Sequence, residues 1–202
     1  MKKALVFLTA AAVLATLTAC KKEKPMNKAD IVFENILSRK SVRSYTNQKV
    51  SRDDLTKIVK AGMAAPTAIN IQPWEFIVID DPKILADLGG VNRAGQMIAK
   101  APAAIVVAGN MDVYADRPSA RDFWIQDTSA ATENILLQIE AMGLGAVWTA
   151  AFPVQERMDG IRKVLNLPDN IIPLNVIAVG YPDTENKPKD KWKENKLHWN
   201  AY

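Results

Sequence analysis

The sequence predicts a single domain that mixes helices with short buried strands, preceded by an export address. Three observations carry this. Segments with apolar residues at helical spacing alternate along the chain with short β-branched runs bounded by proline or glycine. A length of 202 residues holds one compact domain and a short appendage. No repeat of roughly 20–50 residues and no low-complexity tract is visible, which excludes solenoids and propellers. Apolar residues make up 49% and charged residues 24% of the chain, so wholesale disorder and a multi-span membrane protein are excluded as well. The net charge is +4, and Lys2, Lys3, Lys21 and Lys22 supply four positive charges around the first apolar run. The remainder is near neutral, and no nucleic-acid partner is expected.

The amino terminus reads as an address. Lys2 and Lys3 precede an apolar stretch from Ala4 to Ala19, short of the ~20 residues that span a bilayer, as in the apolar region of a secretory signal. Leu17-Thr18-Ala19-Cys20 resembles a bacterial lipobox, in which the thiol of Cys20 takes the lipid. Cys20 is the only cysteine, so the mature chain has no free thiol for catalysis, a metal or a disulfide. The expectation is a signal peptide over 1–19, a polar tether over 20–28 without fixed structure, and a folded domain over 29–202. Such a domain sits in the bacterial cell envelope, facing the periplasm or the exterior, and touches the membrane only through its anchor.

Asp30 to Ser38 predicts a short helix, and Ser51 is a good N-cap for a second, with Asp53 and Asp54 in its first turn. Leu55, Ile58, Val59, Gly62 and Met63 form its apolar stripe, which Pro66 ends. Glu75–Ile79 and Ala103–Ala108 read as strands buried on both faces, separated by a helical segment from about Pro82 to Lys100. The longest helix is expected from Ser119 to Met142, stopped by Gly143. Gly145–Thr149 predicts a third strand, Val154–Leu165 a helix and Ile171–Val179 a fourth strand. The polar tail from Asp183 carries Trp192, Leu197, Trp199 and Tyr202, which imply packing on this domain or on a second copy.

Three segments carry candidate chemistry. Ser38-Arg39-Lys40-Ser41-Val42-Arg43-Ser44-Tyr45 places three cations and two hydroxyls within six positions, which suits a phosphate, or else makes a solvated basic turn. Ala65-Pro66-Thr67-Ala68-Ile69-Asn70-Ile71-Gln72-Pro73-Trp74 pairs amides with stiff prolines. That is equipment for reading the polar edge of a flat heterocycle, or for an Asx-type loop with Trp74 as core filler. Gly143-Leu144-Gly145 lacks the spacing of a dinucleotide fingerprint and is not followed by a phosphate-cradling lysine, so its glycines read as points of close backbone approach. His198 is the only histidine and lies in the tail, which leaves Ser-His-Asp hydrolysis and a histidine metal site without support.

These segments, in this order, with Val179-Gly180-Tyr181-Pro182 and the terminal Leu197-His198-Trp199, resemble the nitroreductase family of FMN flavoproteins over about Asp30 to Tyr202. Lys40 replaces an arginine often found in the first motif, and Thr67 stands where the family often has Ser. The resemblance implies an α+β sandwich with a mixed central β-sheet flanked by helices, and an intertwined homodimer with FMN at each of two interface sites. It further implies that Arg39, Lys40, Ser41 and Arg43 hold the ribityl phosphate. Pro66, Thr67, Asn70 and Gln72 border the isoalloxazine of the site shared with the other subunit, and Trp148, Thr149 and Ala150 line the flavin face or its dimethylbenzene side. Lys191, in preference to Lys189, adds a phosphate cation from the tail. No catalytic side chain and no metal are implied, because N5 of the flavin carries the chemistry.

The function so implied is ping-pong hydride transfer from a reduced nicotinamide, or another electron donor, to a nitroaromatic, quinone or similar small electron-poor acceptor. Export beyond the membrane separates such a domain from NAD(P)H, which leaves the physiological donor open. Two alternatives stand beside this one: another chemistry of the superfamily, such as reductive dehalogenation or flavin fragmentation, and a lipid-anchored protein that binds a flavin or another planar ligand without turnover.

Overall fold

The computed structural model describes residues 26–91 and 95–202. The expected signal peptide, the expected lipobox with Cys20 and most of the expected tether lie outside the described residues. At the end of the tether the structure corrects the sequence reading. Lys28 already belongs to helix α1 (Lys28–Ser38), because the side chain of Asn27 accepts from the Asp30 amide at 3.0 Å and caps it.

Helix α2 (Arg52–Met63) starts as expected, with the Ser51 hydroxyl accepting from the Asp54 amide at 3.0 Å. Leu55, Ile58 and Gly62 are its buried face. Strand β1 spans Trp74–Ile79. The helical stretch predicted up to Lys100 resolves, among the described residues, into α3 (Pro82–Gly89) and α4 (Gln96–Ala99). The two pack so closely that a Cβ at Gly89 would lie 2.5 Å from that of Ala99. Strand β2 is Ala103–Asn110. The long helix expected from Ser119 opens as a 3₁₀ segment over Pro118–Phe123, and α5 proper is Trp124–Ala141. Gly143, at φ +71°, ends it in the left-handed conformation that favours glycine. Strand β3 (Gly145–Ala150), helix α6 (Gln155–Leu165) and strand β4 (Ile171–Gly180) complete the order.

The four strands form one sheet in the order β1-β2-β4-β3, every neighbouring pair antiparallel. The mixed sheet expected from the resemblance is therefore corrected: the parallel component is a single bridge from Ser41 to Ala146 on the free side of β3. The central strands β2 and β4 are buried on both faces, and their alternation sorts the core into two layers. Ile105, Val107, Ile177 and Val179 meet Leu55, Ile58, Ile135 and Ile139 of α2 and α5. On the other face Ala104, Val106, Val176 and Ala178 meet Leu85 and Leu88 of α3, Ile98 of α4 and Met158 and Ile161 of α6.

Helix α5 is held from both sides. Asn134 donates to the Ala61 carbonyl of α2 at 3.1 Å, and Asn35 of α1 donates to the Leu137 carbonyl at 3.1 Å. Helix α1 itself buries no residue, and its Ile31, Val32, Phe33, Ile36 and Leu37 stay exposed. The aromatic tail is exposed as well, Trp199 at 80% and Tyr202 fully.

Candidate functional site

The basic segment is fixed by the edge of the sheet. The Val42 amide donates to the Ala146 carbonyl at 2.8 Å, and the Val42 side chain is fully buried. Glycine at 145 is what allows this: a Cβ there would lie 2.6 Å from the Cβ of Val42. The close backbone approach read from the Gly143-Leu144-Gly145 motif is thus the role of Gly145. Downstream, the Tyr45 hydroxyl donates to the Val42 carbonyl at 2.7 Å, with the Ala178 carbonyl at 3.2 Å. Burial pushes the Tyr45 phenol well above the ordinary tyrosine range, and the charge of Arg43 opposes this only in part.

With Val42 pinned inward, the neighbouring side chains turn to the surface, two of them onto α5. Arg39 Nε lies 3.1 Å from Glu133, and Lys40 Nζ lies 2.7 Å from Glu140. These acids are seven residues apart and share one face of the helix, about 10 Å along its axis. Arg39 also lines a cavity of about 840 Å³ with Lys189 and Lys191 of the tail, walled by Phe33, Ile36, Leu37 and Trp192. Arg43 does not join it. It donates to the Ser41 carbonyl at 3.3 Å and lines a separate cavity of about 560 Å³ with Lys49, Lys100, Asp80 and Asp183.

The amide loop is built differently. Ile69, Asn70 and Gln72 all lie in the left-handed region, at φ 49°, 56° and 55°, and none is glycine. Such backbone costs about 1–3 kcal/mol per residue and persists only where the surroundings impose it. Within the loop, the Gln72 amide donates to Thr67 Oγ1 at 3.1 Å, and Gln72 Nε2 donates to Asn70 Oδ1 at 2.9 Å. From outside, the carboxylate of Asp127 on α5 accepts from the Ala68 amide at 2.9 Å. Pro66, Asn70 and Gln72 are exposed and Thr67 is half-buried. At the start of β1 the indole N–H of Trp74 is buried and has no acceptor among the described residues.

On the remaining edge strand, Trp148 is half-buried between two core clusters, Thr149 is buried with its hydroxyl donating to the Val176 carbonyl at 2.7 Å, and Ala150 is exposed. His198 stacks on Tyr202 at 4.3 Å in the exposed tail, remote in sequence from both segments. Among the described residues no group of three or more His, Cys, Asp or Glu is placed to hold a metal ion. Sequence reasoning missed Asp127, Glu133 and Glu140, the three acids of α5 that organise the loop and the basic segment.

An antiparallel sheet with helices on both faces, carrying a cationic edge segment and a strained amide loop along one helix, defines an α+β domain. The comparisons give the class its name. The chain belongs to the nitroreductase family, whose sequence model matches residues 36–94 and 90–181. It is 40% identical over 166 residues to a candidate NADH dehydrogenase/NAD(P)H nitroreductase of Archaeoglobus fulgidus, covering 81% of this chain and 94% of that protein. It resembles the solved structure of a protein described in the same words from Bacteroides thetaiotaomicron, with a TM-score of 0.79, 42% identity, and 85% and 98% of the two chains covered. It also resembles an FMN-dependent nitroreductase from Clostridium difficile, with a TM-score of 0.76, 30% identity, and 84% and 99% of the two chains covered.

Proposed function

We propose that this chain is an FMN-dependent oxidoreductase that passes electrons from a reduced nicotinamide, or another donor, to small electron-poor acceptors such as nitroaromatics or quinones. The observation that carries the reading is the arrangement along α5, where one helix fixes both a phosphate-type cation set and a strained loop of amide side chains. The relatives named above, one of them FMN-dependent, support it.

The residues present suit the cofactor. Arg39, Lys189 and Lys191 line one cavity with the carboxylates of Glu133 and Asp190, an excess of cations that suits a phosphate monoester, and Ser41 offers a hydroxyl two residues from Arg39 in the same segment. The flat ring needs donors and acceptors at its edge, which Thr67, Asn70 and Gln72 offer beside the buried, unpartnered indole N–H of Trp74. Bound there, FMN supplies two-electron redox chemistry. The chain does the rest. Arg39 and Lys191 neutralise the phosphate and set register, the Lys40–Glu140 pair fixes the segment to α5, and Arg43, which lines a separate cavity, takes no part in holding the phosphate. Pro66 and Pro73 limit the shapes open to the amide loop, so its ordering costs little at binding. Trp148 and Ala150 contribute the neighbouring wall from one face of β3, whereas Thr149, buried on the opposite face with its hydroxyl bonded to the Val176 carbonyl, does not.

The proposal includes a homodimer. Ile31, Val32 and Ile36 of α1 border a groove of about 680 Å³ with α2 and α5, the apolar side chains of the tail are exposed elsewhere on the surface, and a second copy would cover both. It also keeps the envelope address, with Cys20 as the anchor. The test of function is direct: purified protein loaded with FMN is yellow, bleaches with a reductant in the absence of oxygen, and recolours when a nitroaromatic or quinone is added. Reduced flavin that no acceptor reoxidises would favour binding without turnover.

A further inference from the structure

Asp127 is 5% exposed and sits on the apolar stripe of α5, in step with the buried Ala131, Ile135 and Ile139 at intervals of four. An alkyl side chain would serve packing better there, because burying a carboxylate is costly unless its oxygens are bonded. Among the described residues Asp127 has no salt-bridge partner. One oxygen accepts from the Ala68 amide at 2.9 Å, and the other faces the buried Tyr114 hydroxyl at 3.5 Å. The Ala68 bond is, among the described residues, the one hydrogen bond that reaches residues 67–72 from outside that segment. It enters immediately before the left-handed run of Ile69, Asn70 and Gln72.

We infer that Asp127 is the positioning residue of the ring-binding loop: its buried carboxylate clamps Ala68 and so holds Asn70 and Gln72 in the strained shape that meets the cofactor ring. The inference rests on the flavin reading above. A charge-assisted bond to a backbone N–H is among the stronger hydrogen bonds, and losing it leaves the Ala68 amide without its partner. Asp127 contacts neither Arg39 nor Lys191 and lies six residues, about 9 Å along the helix, from the Glu133 that engages Arg39, so its effect falls on the ring end of the ligand and not on the phosphate end.

The experiment compares wild type, Asp127→Ala, Asp127→Asn and Arg39→Ala, titrated separately with FMN and with riboflavin, which lacks the phosphate, by quenching of flavin fluorescence. Backbone hydrogen exchange is followed in parallel at Ala68–Gln72. Asp127→Ala should weaken both ligands by a similar factor, roughly tenfold to a hundredfold, and leave the FMN-to-riboflavin ratio unchanged. Arg39→Ala should instead collapse that ratio. Exchange at Ala68–Gln72 should rise in Asp127→Ala. Asn keeps an acceptor oxygen, so Asp127→Asn should recover most of the affinity and the protection, and it decides the matter if the alanine variant does not fold. Wild type that binds FMN while both Asp127 variants bind either ligand equally well, or show unchanged exchange at Ala68, overturns the inference alone. Wild type that takes neither ligand overturns the flavin reading and this inference with it.

Discussion

Glu133 of α5 holds the Nε of Arg39 at 3.1 Å, so the cation best placed for a phosphate is already engaged by a carboxylate of the same chain. Phosphate must compete with that carboxylate. Glu133→Gln should therefore tighten FMN binding about two- to fivefold, the scale of a partly exposed ion pair. Arg39→Ala should weaken it by ~10-fold or more. Equilibrium titration at two salt concentrations checks both, and a Glu133→Gln variant that binds more weakly contradicts the competition.

Gly145 and Val42 share the tightest backbone approach at the site. Gly145→Ala drives a Cβ to 2.6 Å from that of Val42, and neither backbone is free to yield, because the Val42 amide is bonded to Ala146. A loss of about 1–3 kcal/mol is expected from the overpacking, read by denaturant unfolding. Retained flavin should fall in the same variant, since Arg39 and Ser41 move with Val42.

Ile69 is a β-branched residue at φ 49°. Ile69→Gly should relieve local strain and leave the fold unchanged or more stable by about 1 kcal/mol, after the entropy that glycine adds to the unfolded chain. Flavin affinity should drop, because the loop then samples other shapes. Thermal melting and fluorescence titration separate the two effects. A destabilised variant would show that the conformation carries no strain.

Two buried phenols set the alkaline limit. Tyr45 lies above the ordinary range because it is desolvated, and Tyr114 is pushed up to about 12, by burial first and by the charge and hydrogen bond of Asp127 next. A raised folded-state value favours the protonated form, so this stability is intact below the ordinary tyrosine value of ~10 and is lost as pH rises through the folded values. Unfolding midpoints should fall steeply above pH ~10, with a shallower fall in Tyr45→Phe. Equal slopes would contradict the assignment.

Most of the architecture was legible in residue patterns, because the strands are continuous apolar runs and the helices carry clear caps, as at Ser51. The direction of strand pairing was not legible. Runs buried on both faces look alike in parallel and antiparallel sheets, and β2 and β4 are enclosed by helices on each side. At the site, Arg39 and the Thr67–Gln72 loop announced themselves as clusters of donors. Their organisers did not, since Asp127, Glu133 and Glu140 are scattered single acids in a long helix. The signals were present nonetheless: a carboxylate on an apolar stripe, and two acids seven residues apart. The separation of Arg43 from Arg39 was also hidden, because it follows from the burial of Val42 and the turn made at Tyr45.

The central claim is that two segments set along α5 form a flavin site. Purified protein, incubated with FMN and freed of excess by gel filtration, should retain flavin stoichiometric with the chain, and Arg39→Ala should retain much less. A colourless protein whose addition leaves the fluorescence of FMN unchanged would contradict the account.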